Sequence, residues 1–419
     1  MYRSPLKLIY KNRYFLIPLL AFFFFHCSGK SAVRLARSRI SSLKDIQYTR
    51  VLLDSKPSEI SYTLNTDAAV ISDEGEQLLQ EAGTKLTFRA NKNILSVILK
   101  GRNYSAGQFE IRPQAKGEFL KFKERAYRGV FRIKASKSVM LINVLPLEEY
   151  LQAVIYPEMG PASKPSDFEA LKAFSVCLRN YTYMKIRESR GEFDVYADHR
   201  DQVYNGVEGE RTFSTKAISE TKEMILEYNG ALAKTFYFAA CGGSTESSDN
   251  VFSEKGISYL QGVKDGDDAY CSIAASFRWN EEIPAAELLA DLKGANLINN
   301  EKYVVSDVKV ESRFNSGRVN QLTFYLVDAK GRPQNVSLFG NSLRNIIKSP
   351  RTKGLLRSNW FEIDPVMEDG SLSSLKISGK GTGHGVGFCQ WGAIGQSRKG
   401  KNFQEILYFY FPGTQLSEM

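Results

Sequence analysis

The chain has 419 residues, 43% hydrophobic and 24% charged, enough apolar material for a substantial core spread over two or three domains. Its formal net charge of +10 does not point to nucleic acid, because residues 1–50 hold ten Lys/Arg against Asp45 alone and the rest of the chain carries only +1. A nearly neutral body does not imply a phosphate-binding surface, and no nucleic-acid partner is expected.

Arg3, Lys7, Lys11 and Arg13 precede an eleven-residue apolar run from Phe15 to Phe25. A basic segment followed by a short apolar one reads as a signal peptide, and the run is well short of the roughly 20 residues a spanning helix needs. Cys27, followed by Ser28 and Gly29, stands where a bacterial lipoprotein is lipidated, although Phe24-Phe25-His26 replaces the small residues usual before such a cysteine. The expectation is a signal peptide over residues 1–27 and a membrane anchor through lipidated Cys27. A basic linker over 28–50 follows, either reinforcing the anchor or simply solvated.

With Cys27 set aside, Cys177, Cys241, Cys271 and Cys389 form an even set without any CxxC spacing. A Cys241–Cys271 disulfide is one reading. A structural zinc held by these cysteines with His199 or His384 is another, and otherwise no cofactor is expected.

Residues 51–137 read as a β-rich accessory module. Ile60–Leu64, Leu86–Ala90, Leu95–Leu99 and Gly129–Ile133 alternate apolar with polar residues between Gly, Asn and Lys clusters. The character changes at Val139–Leu145, a buried strand in type, and Pro146–Leu151 reads as a helix start. Tyr156–Pro161 is expected to be loop, since it holds two prolines and a glycine. Ser166-Asp167-Phe168-Glu169 has the form of a capping box, and Leu171, Phe174, Leu178 and Tyr181 recur at helical spacing behind it. Strand-like runs return at Tyr303–Val305 and Leu322–Val327. The chain closes on a glycine-dense loop, Gly379–Gly387, and a short helix capped by Asn402–Glu405.

Four features could carry chemistry. Glu158, flanked by Pro157 and Met159, would have its carboxyl pKa raised by desolvation, as a general acid requires; the plain alternative is a surface glutamate on a turn. Lys172 and Arg179 fall on one helical stripe away from the Leu171/Leu178 face, where they could bind sugar hydroxyls or carboxylates or simply be solvated. His384 lies between Gly383 and Gly385, where the backbone can approach a ligand closely. Cys241 with His384 could form a nucleophile and base, although Cys271 is an available partner for that thiol.

The ordered segments Asn143–Leu151, Pro157-Glu158-Met159, Glu169–Ala173, Gln202–Gly206, Gly242–Glu246, and Gly383–Gly387 with Gln390–Ala393 together resemble the sporulation stage II protein D / LytB family over roughly residues 138–416. The resemblance implies a mixed α/β catalytic core at 138–419, and so an α+β chain overall. It implies action on peptidoglycan glycan strands in the cell envelope, as a lytic transglycosylase or as a non-catalytic enhancer of a cell-wall amidase. The family's catalytic glutamate maps onto Glu158, with Pro157 in place of a serine. Lys172, Arg179, Tyr204, His384 and Gln390 become candidates for binding the strand. No second carboxylate stands out beside Glu158, which suits a single acid and base better than a hydrolase pair.

Overall fold

The structure, a computed structural model, describes residues 48–252 and 256–419. The signal segment, Cys27 and the linker up to residue 47 lie outside the described residues. Among the described residues no helix is long and apolar enough to cross a membrane.

The architecture is α+β. Twelve strands open the fold: β1 (Tyr48–Lys56), β2 (Glu59–Thr63), β3 (Ala68–Ser72), β4 (Gln77–Gln80), β5 (Lys85–Asn91), β6 (Ile94–Leu99), β7 (Arg102–Ala106), β8 (Gln108–Pro113), β9 (Leu120–Phe122), β10 (Arg125–Tyr127), β11 (Val130–Ala135) and β12 (Val139–Pro146); β13 (Val195–Tyr196) follows two helices later. Seven of them make one sheet in the order β13-β1-β12-β11-β8-β3-β4, and β2-β5-β6-β7 make another. The alternation in the sequence has its expected result: Ile60 and Tyr62 on β2, Leu86 and Phe88 on β5, and Phe131 and Ile133 on β11 are buried. Between the sheets Tyr62 meets Phe131 edge-on at 5.4 Å and Phe88 meets Phe109 at 5.5 Å. Arg50, expected in the linker, instead lies on β1 and pairs with Asp194 at 2.5 Å.

Strands from either side of residue 137 are hydrogen-bonded neighbours. β1 runs antiparallel to β12 from Tyr48↔Pro146 to Lys56↔Val139. Their buried residues share one apolar core with two helices, α1 (Leu147–Met159) and α2 (Phe168–Glu188). β12 runs straight into α1 through Pro146, whose ring pre-sets the φ of −54° seen at the helix entry.

Two local expectations need correction. The segment Tyr156–Met159 is helical, not loop: Pro157 sits in the last turn of α1. The carbonyl of Ala153, which Pro157 cannot satisfy, packs against Gly209, where a Cβ would come within 2.1 Å of it. The Ser166–Glu169 capping box does not form either. α2 starts after a 3₁₀ turn over Pro165–Asp167 with Asp167 at its head, and that buried carboxylate accepts the amide of Lys164 at 3.0 Å and pairs with Arg398 at 2.6 Å. Glu169 turns outward to accept the Phe403 amide at 2.8 Å. By contrast, Asn402 and Glu405 cap the last helix reciprocally, each bond 2.9 Å.

α2 is also buried on more than one face. Leu171, Phe174 and Leu178 are buried as expected, but so are Ser175, Val176, Arg179, Thr182 and Tyr183. Its hydroxyls are satisfied within the helix, Ser175 and Thr182 each donating to the carbonyl four residues back at 2.8 Å.

A second apolar core, from Trp279 to Ile377, belongs to two three-stranded antiparallel sheets and the helix Ala285–Gly294. One sheet comprises Arg278–Pro284, Ser371–Lys380 and Phe361–Glu368; the other comprises Tyr303–Arg313, Val319–Asp328 and Pro333–Phe339. The chain returns to the first core through the short strand Phe388–Cys389 and the helices Gln390–Arg398 and Phe403–Tyr410.

Candidate active site

Glu158 is half-buried in the last turn of α1. Its Oε1 accepts the backbone amide of Val203 at 2.6 Å, and among the described residues nothing engages Oε2. Burial pushes its carboxyl pKa up, and the Val203 amide and nearby His199 pull it only part of the way back. The result is a carboxyl held from one side, with its second oxygen free and its proton retained more tightly than in water.

The amide that holds Glu158 is itself fixed by the Gln202–Gly206 segment. Gln202 is fully buried; its Oε1 accepts the hydroxyl of Tyr150 on α1 at 3.0 Å and lies 2.9 Å from the hydroxyl oxygen of Thr182 on α2. Tyr204 is also buried; its hydroxyl donates to Asn143 on β12 at 2.7 Å. Val203, between these two anchors, presents its N–H to the carboxylate. Sequence reasoning missed Val203, because a backbone donor has no residue signature; the signal was the motif around it.

Glu158 opens onto a cavity of about 490 Å³ lined also by Tyr181, Tyr237, Phe238, Phe252, His199 and Arg344. Aromatic faces with a few polar groups are what a sugar ring needs, apolar C–H surface on one side and hydroxyls on the other. Asp201, a carboxylate that sequence reasoning had not singled out, lines the same cavity. Its side chain is only 2% exposed and is occupied by Lys185 at 2.7 Å, the Tyr181 hydroxyl at 3.0 Å and the Tyr196 amide at 2.8 Å. Arg344 keeps its charge although burial, with Arg318 nearby, lowers its pKa to about 10.

Two expected residues meet Glu158. Gln390, first in the helix Gln390–Arg398, donates through Nε2 to the Glu158 carbonyl at 3.0 Å and lines the cavity. His384 lines the cavity as well, with both ring nitrogens in use: Nε2 against the Tyr237 carbonyl at 2.9 Å and Nδ1 accepting the Val386 amide at 3.1 Å. Burial, with Arg344 nearby, lowers its pKa to about 4, so the ring is neutral. The glycines around it serve the chain's own packing. A Cβ on Gly385, at φ 90°, would meet the Arg318 guanidinium at 2.8 Å.

The other expected site residues lie elsewhere. Arg179 is fully buried and forms a two-pronged pair with Glu148, 2.7 and 2.9 Å, with a further bond to the Met224 carbonyl at 3.1 Å. Lys172 pairs with Glu169 at 2.5 Å and lies over the rings of Phe168 and Phe403. Neither lines the Glu158 cavity, nor does Tyr204, whose ring lies tilted against that of Tyr150 at 5.2 Å and which lines a neighbouring cavity instead. The helical period placed the two cations on one stripe but could not reveal that α2 has packing partners on that side too. The His384 ring nitrogens bond Tyr237 and Val386, not Cys241; the Cys241 Sγ lies 3.3 Å from that of Cys271, beyond disulfide bonding distance, and both are free thiols.

Comparison with known proteins finds relatives over most of the chain. The family described as Stage II sporulation protein (SpoIID) matches residues 135–228, the stretch holding Glu158 and Val203, and a domain of unknown function (DUF8618) matches residues 260–387. An uncharacterized protein of Brachyspira hyodysenteriae is 31% identical over 292 residues, covering 69% of this chain and 72% of its own. The amidase enhancer of Bacillus subtilis is 28% identical over 64% of this chain, which spans only 40% of that relative's length. Stage II sporulation protein D of Bacillus subtilis is 26% identical over 66% of this chain and 76% of its own. The chain belongs to the stage II sporulation protein D (SpoIID/LytB) family.

Proposed function

We propose that this protein is an exported cell-envelope enzyme that cleaves peptidoglycan glycan strands as a lytic transglycosylase, with Glu158 as acid and base in turn. The supporting observation is the state of the Glu158 carboxyl, raised in pKa by burial, pinned at Oε1 and free at Oε2 beside an aromatic cavity. The protonated acid gives its proton to the glycosidic oxygen as the bond to the anomeric carbon breaks. The carboxylate so formed accepts the proton of the same sugar's 6-hydroxyl, whose oxygen closes on the anomeric carbon to leave an anhydro end. No second free carboxylate is required, and Asp201 is already engaged by three partners.

A second cavity of about 600 Å³, lined by Asp54, Lys123, Arg125 and Tyr127 among others, shares Arg200 with the first. Two adjoining cavities suit a linear polymer better than a monosaccharide. Arg200 and Arg344 in the walls suit the lactyl carboxylates that a strand exposes once its stem peptides are gone. With the leader removed, lipidated Cys27 would hold this site at the membrane surface.

The second reading is a non-catalytic partner of a cell-wall amidase, favoured by the likeness to a relative named amidase enhancer. Incubating the protein with peptide-free glycan strands and identifying products by mass spectrometry separates the two. Anhydro-ended fragments that disappear in Glu158→Gln support the enzyme. Intact strands that are nonetheless bound, together with faster turnover by an added amidase, support the enhancer.

A further inference from the structure

Four side chains that the proposed chemistry does not use converge in the interior, away from the Glu158 cavity. Cys241, Asp265, Cys271 and Cys389 are all buried, and their sulfur atoms and a carboxylate oxygen all lie within 4.8 Å of one another. The Cys241 and Cys271 sulfurs are 3.3 Å apart. That separation is far from the ~2.05 Å of a disulfide. It is about half an ångström short of the spacing of two thiolates sharing a tetrahedral zinc at ~2.3 Å from each.

The surroundings are those of ligands. Cys389 Sγ accepts the backbone amides of Cys241 at 3.2 Å and Gly392 at 3.3 Å, and Cys241 Sγ accepts that of Gly243 at 3.4 Å. Asp265 is oriented from both sides, its Oδ2 accepting the Cys271 amide and its Oδ1 the Tyr410 hydroxyl, each at 2.9 Å. Three of the four thus carry donors, and donors on the outer side of the ligands are the usual second layer of a metal centre. At Gly392 a Cβ would come within 2.8 Å of Asp265 and 3.1 Å of Cys389, so the cluster keeps its room only with glycine there. Three thiolates and a carboxylate would bring four negative charges against two on the ion. The fully buried Arg318 guanidinium, on the Cys241 carbonyl at 2.9 Å with Nε and Nη1 unpartnered, offsets part of the remainder.

We propose that Cys241, Cys271, Cys389 and Asp265 bind one zinc ion, a structural site joining the Cys241 loop, the 3₁₀ turn at Cys271 and the start of the Gln390–Arg398 helix. Neither His199 nor His384 belongs to the cluster. Binding expels the protons of the three thiols to solvent and ties together residues up to 148 positions apart, so the ion contributes directly to holding the fold. The site is independent of the Glu158 reading, since none of its ligands lines that cavity.

The test is metal analysis of the full chain purified without chelator, with Cys389→Ser and, as control, the buried Cys177→Ser. About one zinc per chain in the wild type and the control, and severalfold less in Cys389→Ser, is the expected result. Cobalt exchanged into the wild type, which needs no variant to fold, should show the thiolate charge-transfer and intense d–d absorption of a tetrahedral site. A wild-type chain that holds no zinc, takes up no cobalt and yields disulfide-linked Cys241 and Cys271 peptides would overturn the proposal.

Discussion

The side chain of Gln390 donates to the main-chain carbonyl of Glu158 at 3.0 Å across 232 residues of sequence. This bond ties the C-terminal end of α1, where the helix end leaves the Glu158 carbonyl without a helical partner, to the first residue of a distant helix. It makes the position of the Glu158 carboxyl depend on both ends of the domain.

Gln390→Ala removes one hydrogen bond, worth about 1 kcal/mol, from a residue that also lines the cavity. Cleavage of peptide-free strands should fall by about tenfold, equivalent to about 1.4 kcal/mol in the barrier, while the melting temperature changes little. Unchanged turnover with a large loss of melting temperature would show that the bond serves only the fold.

Glu158 should leave a signature in the pH dependence of stability. Burial disfavours its carboxylate in the folded chain but not in the unfolded one, so the folded pKa is the higher of the two. The associated stability is complete below the unfolded pKa and is lost as pH rises through the folded one. Glu158→Gln cannot ionise and should melt higher than the wild type above neutrality, the gap closing on acidification. Cleavage by the wild type should decline over the same rise in pH. A gap that does not depend on pH would remove the argument for a proton-retaining acid.

His384 predicts the opposite dependence. Its pKa falls from 6.5 to about 4 on folding, so its contribution is complete above about 6.5 and is lost as pH drops toward 4. The loss amounts to about 3 kcal/mol. His384→Gln keeps a donor and an acceptor without a titrating ring, and its stability should fall less over that interval. Parallel pH–stability curves for the two proteins would contradict a neutral, buried imidazole.

Arg179 tests the distinction between binding and packing. Breaking its pair with Glu148 by Arg179→Met leaves a carboxylate without its partner, at a cost of about 3 kcal/mol in urea unfolding. Adding Glu148→Gln should restore much of that loss. If Arg179→Met instead keeps full stability and weakens strand binding, the buried position is not the one that matters.

The sequence by itself determined the strands of the first half, because alternation with a period of two survives any arrangement of the sheets, and Ile60, Phe88 and Phe131 all point inward as it requires. It also singled out Glu158, Gln390 and His384, since the motifs that hold them are ordered along the chain, and the structure brings all three to one cavity. Only the tertiary structure decided the surroundings. Helical periodicity marks the most apolar face of a helix but not how many neighbours surround it, so Lys172 and Arg179 read as candidates for binding the strand, whereas one pairs with Glu169 and the other is interior. The proline rule placed Glu158 in a loop because it describes a helix interior; at a C-terminal turn the freed carbonyl finds room against Gly209. The grip on Glu158 by the Val203 amide, and the meeting of Cys241, Asp265, Cys271 and Cys389, depend on long-range packing that no local pattern records.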